Sequence, residues 1–215
     1  MERTPRVIGI DFDNTLVNYD AVLRRVAAER GFALPGAAAS KRVIRDLIRQ
    51  QPDGEREWQR VQAVVYGSRM DEAVLSDGVP AFLRDCRERG IRVVVVSHKT
   101  EFAPLDPGRT NLREAALAWM TRQGFFEPGD LGFSRTDVFF EPTRAEKISR
   151  IRQAGCTHFI DDLEETFLEP SFPAEVEKLL YAAHGREPFA GATVVRTWQE
   201  IAEALFHAGS CRAAG

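Results

Sequence analysis

Cysteine is scarce in this 215-residue chain, and the three that occur, Cys86, Cys156 and Cys211, stand far apart with no CxxC pair and no zinc-type spacing. An odd number at such distances excludes a disulfide framework and a structural zinc site, and predicts reduced thiols in a cytoplasmic protein. Long apolar runs are also missing. Stretches such as Val93–Val96 are far too short to cross a bilayer, and the opening MERTPRV has no apolar signal region. Neither sign of charge dominates: 29 Lys and Arg stand against 32 Asp and Glu, for a net charge of −3, and the two signs are mixed along the chain. That excludes a basic nucleic-acid footprint and a charged membrane-surface patch, and leaves small anionic substrates open. There is no Gly-rich phosphate loop and no Ser-His-Asp arrangement. His158, His184 and His207 show no metal-ligand spacing.

What the chain does have is alternation. Apolar runs at VIGID (7–11), RVVVVS (92–97), DVFFE (137–141), HFID (158–161) and TVVR (193–196) predict strands. Their continuity fits parallel strands buried on both faces. Helices are expected between them, over 78–90, 110–124, 143–155 and 197–209, and near 174–184. The first three end at Gly90, Gly124 and Gly155. The one over 143–155 opens with Thr143 and carries Glu146 at its third position, a capping pattern. Strands alternating with helices predict an α/β fold with a doubly wound, mostly parallel Rossmann-like sheet.

One section departs from the alternation. Residues 18–76 contain no good strand, but show amphipathic helical patterns over 20–31, 40–51 and 55–66. So many helical residues exceed an ordinary crossover. They predict a small all-helical cap inserted after the first strand, with 1–17 and 77–215 forming the α/β core domain. An irregular stretch, residues 99–110, follows the second strand.

Polar residues gather where apolar runs end. Asp11 and Asp13 follow the first strand, Ser97 ends the second, Lys147 lies at a helix start, and Asp161 and Asp162 end the strand at 158–161. All fall at the carboxyl edge of the predicted sheet, where open α/β sheets bind ligands. DFDNT, the strand-terminal Ser97 of VVVVSHKT, Lys147 and the IDD of 160–162, in this order over residues 6–165, resemble the four motifs of the haloacid dehalogenase-like superfamily. The helical insertion matches too, since many members carry a cap at that point.

The resemblance implies a Mg²⁺-dependent phosphatase acting on a small phosphorylated metabolite, such as a sugar phosphate or a nucleoside monophosphate. It makes Asp11 the nucleophile that becomes an aspartyl-phosphate, and Asp13 the acid and base. Lys147 supplies positive charge to the nucleophile and the phosphoryl group. Thr15, Ser97 and His98 join Lys147 as candidate phosphate or substrate contacts. Asp11, Asp13, Asp161 and Asp162 are the candidate metal ligands, because carboxylate oxygens suit a hard divalent cation. The resemblance favours Asp162 over Asp161 for direct contact, since similar DD motifs in nucleotide-type phosphatases of the superfamily place the second aspartate on Mg²⁺. Arg24, Arg25, Lys41, Arg42 and Arg45 are the cations available on the cap. A phosphomutase would keep all four motifs. A phosphonatase would use a cap lysine, for which only Lys41 is available. A non-catalytic binding module of the same fold is the alternative from another class. No feature of the sequence sets the oligomeric state.

Overall fold

The computed structural model describes residues 6–36, 39–185 and 188–206, so Cys211 and His207 lie outside the described residues. The elements, in chain order, are β1 (Val7–Ile10), β2 (Val17–Asn18), α1 (Asp20–Glu29), α2 (Lys41–Arg49), α3 (Gly54–Ala63), β3 (Val74–Leu75), α4 (Val79–Glu88) and β4 (Arg92–His98). They continue as α5 (Leu112–Arg122), β5 (Val138–Glu141), α6 (Arg144–Gln153), β6 (His158–Asp161), α7 (Glu164–Phe167), β7 (Glu177–Tyr181), β8 (Thr193–Val195) and α8 (Trp198–Phe206).

Six strands form one sheet in the order β5-β4-β1-β6-β7-β8. Every pairing in it is parallel. The first strand lies inside the sheet, between β4 on one side and β6 on the other. The chain therefore winds outward in both directions from β1, and the crevice at its carboxyl end is the switch point of the fold.

Side chains explain why the sheet is buried on both faces. Successive residues of a strand point to opposite sides. In β4, Val95 joins the core built with Val79, Phe82, Trp119, Trp198 and Ile201, whereas Val94 and Val96 join the core of Ile148, Ile151 and Phe159. One face is thus covered by α4, α5 and α8, and the other by α6. Gly9, at the centre of β1, permits a close approach: a Cβ there would lie 2.5 Å from Phe159 Cδ2 and 2.8 Å from Cys156 Sγ.

The expected helix near 174–184 is instead strand β7. The segment is rich in helix-forming Glu, Lys and Leu, which explains the helical reading. Its burial tells otherwise, because Leu179 belongs to the core on one face and Leu180 to the core on the other. Adjacent residues buried on opposite sides suit a pleated strand paired with β6 and β8 rather than a helix with a single apolar stripe. Pairing within the sheet overrides local propensity here.

Residues 18–76 also contain strand structure that their sequence does not advertise. Val17 and Asn18 pair antiparallel with Leu75 and Val74. This two-stranded ribbon sits where the chain leaves and re-enters the sheet. Between its strands run α1, α2, α3 and a π-helical turn, Val64–Ser68. Val22, Leu23, Ile44, Ile48, Trp58 and Val61 form their apolar interior, which is continuous with the core over β1 through Phe12, Leu16 and Tyr19. The Trp119 indole of α5 donates to the Ala73 carbonyl at 2.8 Å, tying this section to the sheet layer.

Candidate active site

The site grows out of the end of β1. The Asp11 amide donates to the Ile160 carbonyl at 2.9 Å, so the ladder with β6 runs one residue past the strand. Register then sets Asp11 beside Asp161, since Ile10 pairs with Ile160. Phe12 turns the other way and is fully buried. Its ring meets Trp119 edge-on at 5.7 Å and Phe140 at 5.5 Å. Anchored by that ring, the chain returns Asp13 to the same side as Asp11. Asn14 adopts a left-handed conformation with φ 63°, and the Val17 amide closes the loop on the Phe12 carbonyl at 3.1 Å.

Two buried groups converge on Asp11, and a third, Asp161, is joined to it through Lys147. Ser97 Oγ donates to Asp11 Oδ1 at 2.9 Å. Lys147 Nζ donates to the same oxygen at 2.6 Å and to Asp161 Oδ2 at 2.6 Å. Asp161 uses its other oxygen, Oδ1, to accept the Leu163 amide at 3.0 Å. Lys147 reaches this position because Thr143 caps α6. The Thr143 hydroxyl accepts the Glu146 amide at 3.2 Å and donates to Glu146 Oε2 at 2.7 Å, fixing where the helix starts and hence which residue faces the sheet edge.

Burial sets the electrostatics. It pushes the Asp11 carboxyl up to about 6, against the pull of Lys147 and with the help of Asp161 and Asp13. Burial also raises Asp162, to about 8; Lys41 opposes that rise, and Asp161 and Asp11 add to it. For Lys147, burial alone would favour loss of the proton, but Asp11 and Asp161 outweigh it and raise its pKa. The lysine is therefore a fixed cation.

Asp13 belongs to a second cluster. Tyr19 donates to its Oδ1 at 2.6 Å. Lys99 Nζ lies 3.0 Å from Oδ1 and 2.9 Å from Oδ2. Sequence reasoning missed Lys99, leaving it in an irregular stretch. The signal was strand alternation: Ser97 and Lys99, two residues apart, point to the same side, and His98 between them does not. His98 is correspondingly not brought to the carboxylates. It is exposed, and its Nε2 lies 3.1 Å from the Pro142 carbonyl oxygen. Thr15 is fully buried, yet its hydroxyl finds no hydrogen-bond partner among the described residues. The loop is instead tied through the Thr15 carbonyl, which accepts Ser76 Oγ at 2.8 Å.

A carboxylate oxygen from each of Asp11, Asp161 and Asp162 lies within 4.8 Å of the others. This is a set of hard oxygen donors, in which burial first and neighbouring carboxylates second raise the pKa of Asp11 and Asp162, and it fits a small divalent cation such as Mg²⁺.

A cavity of about 550 Å³ opens beside this trio, bounded by Asn14 and Asp162 at the sheet edge, by the start of α2, and by the segment after β7. Lys41, Arg42 and Arg45 line it, but Arg24 and Arg25 do not. Arg24 donates to the Ala39 carbonyl at 3.2 Å, and Arg25 pairs with Glu72. Arg42 and Arg45 both pair with Asp46, Arg45 at 2.9 Å. Lys41 lies near Tyr66, Asp162 and Asp13, which raise its pKa although burial alone would lower it.

No protein-family model and no curated protein matches the sequence. Solved structures do match in shape. A HAD family hydrolase from Deinococcus radiodurans, with bound phosphate and sodium, aligns over 95% of this chain and 96% of its own, at 16% identity and TM-score 0.55. The Bacillus subtilis protein YfnB, bound to magnesium, aligns over 95% and 100% at 12% identity and TM-score 0.56. Protein Tyrosine Kinase A of Mycobacterium tuberculosis aligns over 94% and 98% at 15% identity and TM-score 0.62. The chain has the haloacid dehalogenase-like fold.

Proposed function

We propose that the protein is a divalent-metal-dependent phosphatase that hydrolyses a small phosphorylated metabolite through an aspartyl-phosphate on Asp11. The observation that carries this reading is the convergence of Ser97 and Lys147 on a single oxygen of a buried strand-end carboxylate. Asp11 Oδ2 then accepts no hydrogen bond among the described residues and is the oxygen free to attack phosphorus. Lys147 keeps its positive charge beside the developing negative charge. A phosphate-bound and a magnesium-bound protein among the fold neighbours support the same chemistry.

Asp11, Asp162 and the Asp13 backbone would hold the metal, with Asp161 supporting from behind through Lys147. Bound there, a divalent cation supplies the charge neutralisation that lets an anionic phosphoryl group approach several carboxylates. The protein's own part is covalent. Asp11 Oδ2 forms a bond to phosphorus as the bond to the leaving oxygen breaks, and that oxygen takes a proton from the carboxyl of Asp13. Water then attacks the aspartyl-phosphate and gives a proton to Asp13. The phosphorus–Asp11 bond breaks, phosphate departs and the carboxylate is regenerated.

The cavity favours a polyhydroxylated substrate, as in a sugar phosphate. Its volume of about 550 Å³ suits a metabolite, and its wall presents Asn18, Asp20, Ser40 and Ser76 among the amide, carboxylate and hydroxyl groups that pair with a polyol. A nucleobase calls for an open ring face. Tyr19 is buried with its hydroxyl on Asp13, and Tyr181 packs against Trp198 at 5.8 Å. Helices α1–α3 act as a cap over this cavity. The raised pKa of Lys41 keeps its amine protonated, which suits an anion and not the neutral amine of a phosphonatase Schiff base. Phosphate release from a panel of sugar phosphates, nucleoside monophosphates and p-nitrophenyl phosphate, with and without Mg²⁺, tests the proposal. Mg²⁺-dependent release, highest with a sugar phosphate, is expected.

A further inference from the structure

We infer that Lys99 is a positioning residue for Asp13, holding its carboxyl in the orientation from which it exchanges protons at the phosphoryl group. The inference rests on the phosphatase reading and goes beyond it, because it assigns a second lysine to a second carboxylate.

The geometry separates the two lysines. Lys147 serves Asp11 and Asp161, whereas Lys99 Nζ meets both oxygens of Asp13, at 3.0 and 2.9 Å. Contact with both oxygens fixes the plane of the carboxylate as well as its position. Tyr19 adds a third constraint at 2.6 Å from Oδ1. The Lys99 side chain is 2% exposed, while that of Asp13 is 18% exposed. The ammonium thus stands behind the carboxylate, which keeps the more accessible side.

Lys99 is itself mounted rigidly. Its amide donates to the Glu141 carbonyl at 2.9 Å, carrying the β4–β5 pairing one residue past the strand. Its carbonyl accepts Arg113 Nε from α5 at 2.9 Å. Its ammonium lies 5.5 Å from the Phe12 ring centroid and 5.3 Å from that of Tyr66. A long, flexible side chain is thereby confined to one place, which is what a support for a catalytic group requires. Stability does not account for the pair, since a buried ion pair is often no more stable than apolar packing of the same volume.

The test compares wild type with Lys99→Met and Lys99→Arg. The readouts are kcat and KM for p-nitrophenyl phosphate, inhibition by inorganic phosphate, and crystal structures of wild type and variant. The expected result for Lys99→Met is a fall in kcat of about 10–100-fold, the loss typical of a group acting through another, with KM and phosphate inhibition changed less than about two-fold. Lys99→Arg should recover most of the loss, and Asp13 should leave its wild-type rotamer in the Lys99→Met crystal. Unchanged kcat would overturn the inference. So would a raised KM with weakened phosphate inhibition, which would make Lys99 a phosphate ligand. If Lys99→Met does not fold, Lys99→Gln, with a neutral donor, takes its place in every measurement. If wild type releases phosphate from no substrate, the phosphatase reading fails by itself. The Asp13 rotamer in the variant crystal then decides the inference: displaced supports it, unmoved overturns it.

Discussion

Lys147 Nζ stands 2.6 Å from Asp11 Oδ1, although the two residues are 136 positions apart in the chain. Two local rules create that contact. Parallel pairing extends β1 by one residue and brings Asp11 to the sheet edge, and the Thr143 cap starts α6 so that Lys147 falls in its first turn. The pair is buried, and neither member could be left alone there cheaply.

Asp11→Asn keeps the shape of the side chain and removes the attacking charge. Turnover of p-nitrophenyl phosphate should fall at least about 10⁴-fold, as when a covalent nucleophile is lost. Circular dichroism should show the fold retained, because Lys147 still has Asp161 as a partner.

The two aspartates that end β6 should separate by readout. Asp161→Ala leaves Lys147 buried with one carboxylate fewer, and should cost on the order of 3–5 kcal/mol of stability in urea unfolding. Asp162→Ala removes a carboxyl that burial and like charge already push up, so metal-free stability should hold or rise. Its Mg²⁺ requirement should increase, and by more than that of Asp161→Ala. The reverse order in a Mg²⁺ titration of activity would exchange their roles.

Acidity gives a prediction with a definite sign. Asp162 and Asp11 have folded pKa values raised to about 8 and about 6 from 3.8. Such groups contribute stability that is fully present below the unfolded value and lost as pH rises through the folded one. In chelator, their contribution should make the melting temperature fall between about pH 5 and about pH 8.5. Mg²⁺ binds the deprotonated carboxylates, so the rise in melting temperature it causes should be larger at the upper end of that window. Thermal unfolding across the window with and without Mg²⁺ measures both. A Mg²⁺ effect that shrinks toward high pH would contradict the assigned metal site.

The cavity wall predicts where substrate preference resides. Lys41→Met and Arg45→Ala should lower kcat/KM for sugar phosphates about ten-fold relative to p-nitrophenyl phosphate, the scale of one charged contact. Arg24→Ala, at a residue that bonds the Ala39 carbonyl and lies outside the cavity, should leave that ratio unchanged. The ratio of kcat/KM values for the two substrates is the quantity to compare.

Sequence legibility followed the range of the forces involved. Strands buried on both faces declare themselves as apolar runs, so β1, β4, β5, β6 and β8 are readable, and with them the edge carrying Asp11, Ser97 and Asp161. Helix starts are local chemistry, so the Thr143 cap is readable too, whereas the start of α5 offers both Thr110 and Asn111 and only the structure assigns the cap to Asn111, whose Oδ1 accepts the Arg113 and Glu114 amides at 3.0 and 3.1 Å. Strand β7 was not readable, since Glu177–Tyr181 takes its conformation from pairing with β6 and β8 rather than from its own residues. The ribbon of Val17–Asn18 with Val74–Leu75 is too short to show a period. Lys99 was hidden for another reason. Alternation would place it beside Ser97, but only if the strand geometry continues past Ser97 into a stretch that reads as irregular, and its hydrogen bond to Glu141 shows that it does.

The central claim is that Asp11 carries the phosphoryl group. The most direct measurement is to quench the protein during turnover of a labelled sugar phosphate with Mg²⁺ and to map the label by peptide mass spectrometry. The account predicts an acid-stable, base-labile phosphoryl group on Asp11, within the peptide containing residues 7–17, and none in Asp11→Asn. Label on any other residue, or steady turnover by Asp11→Asn, would contradict it.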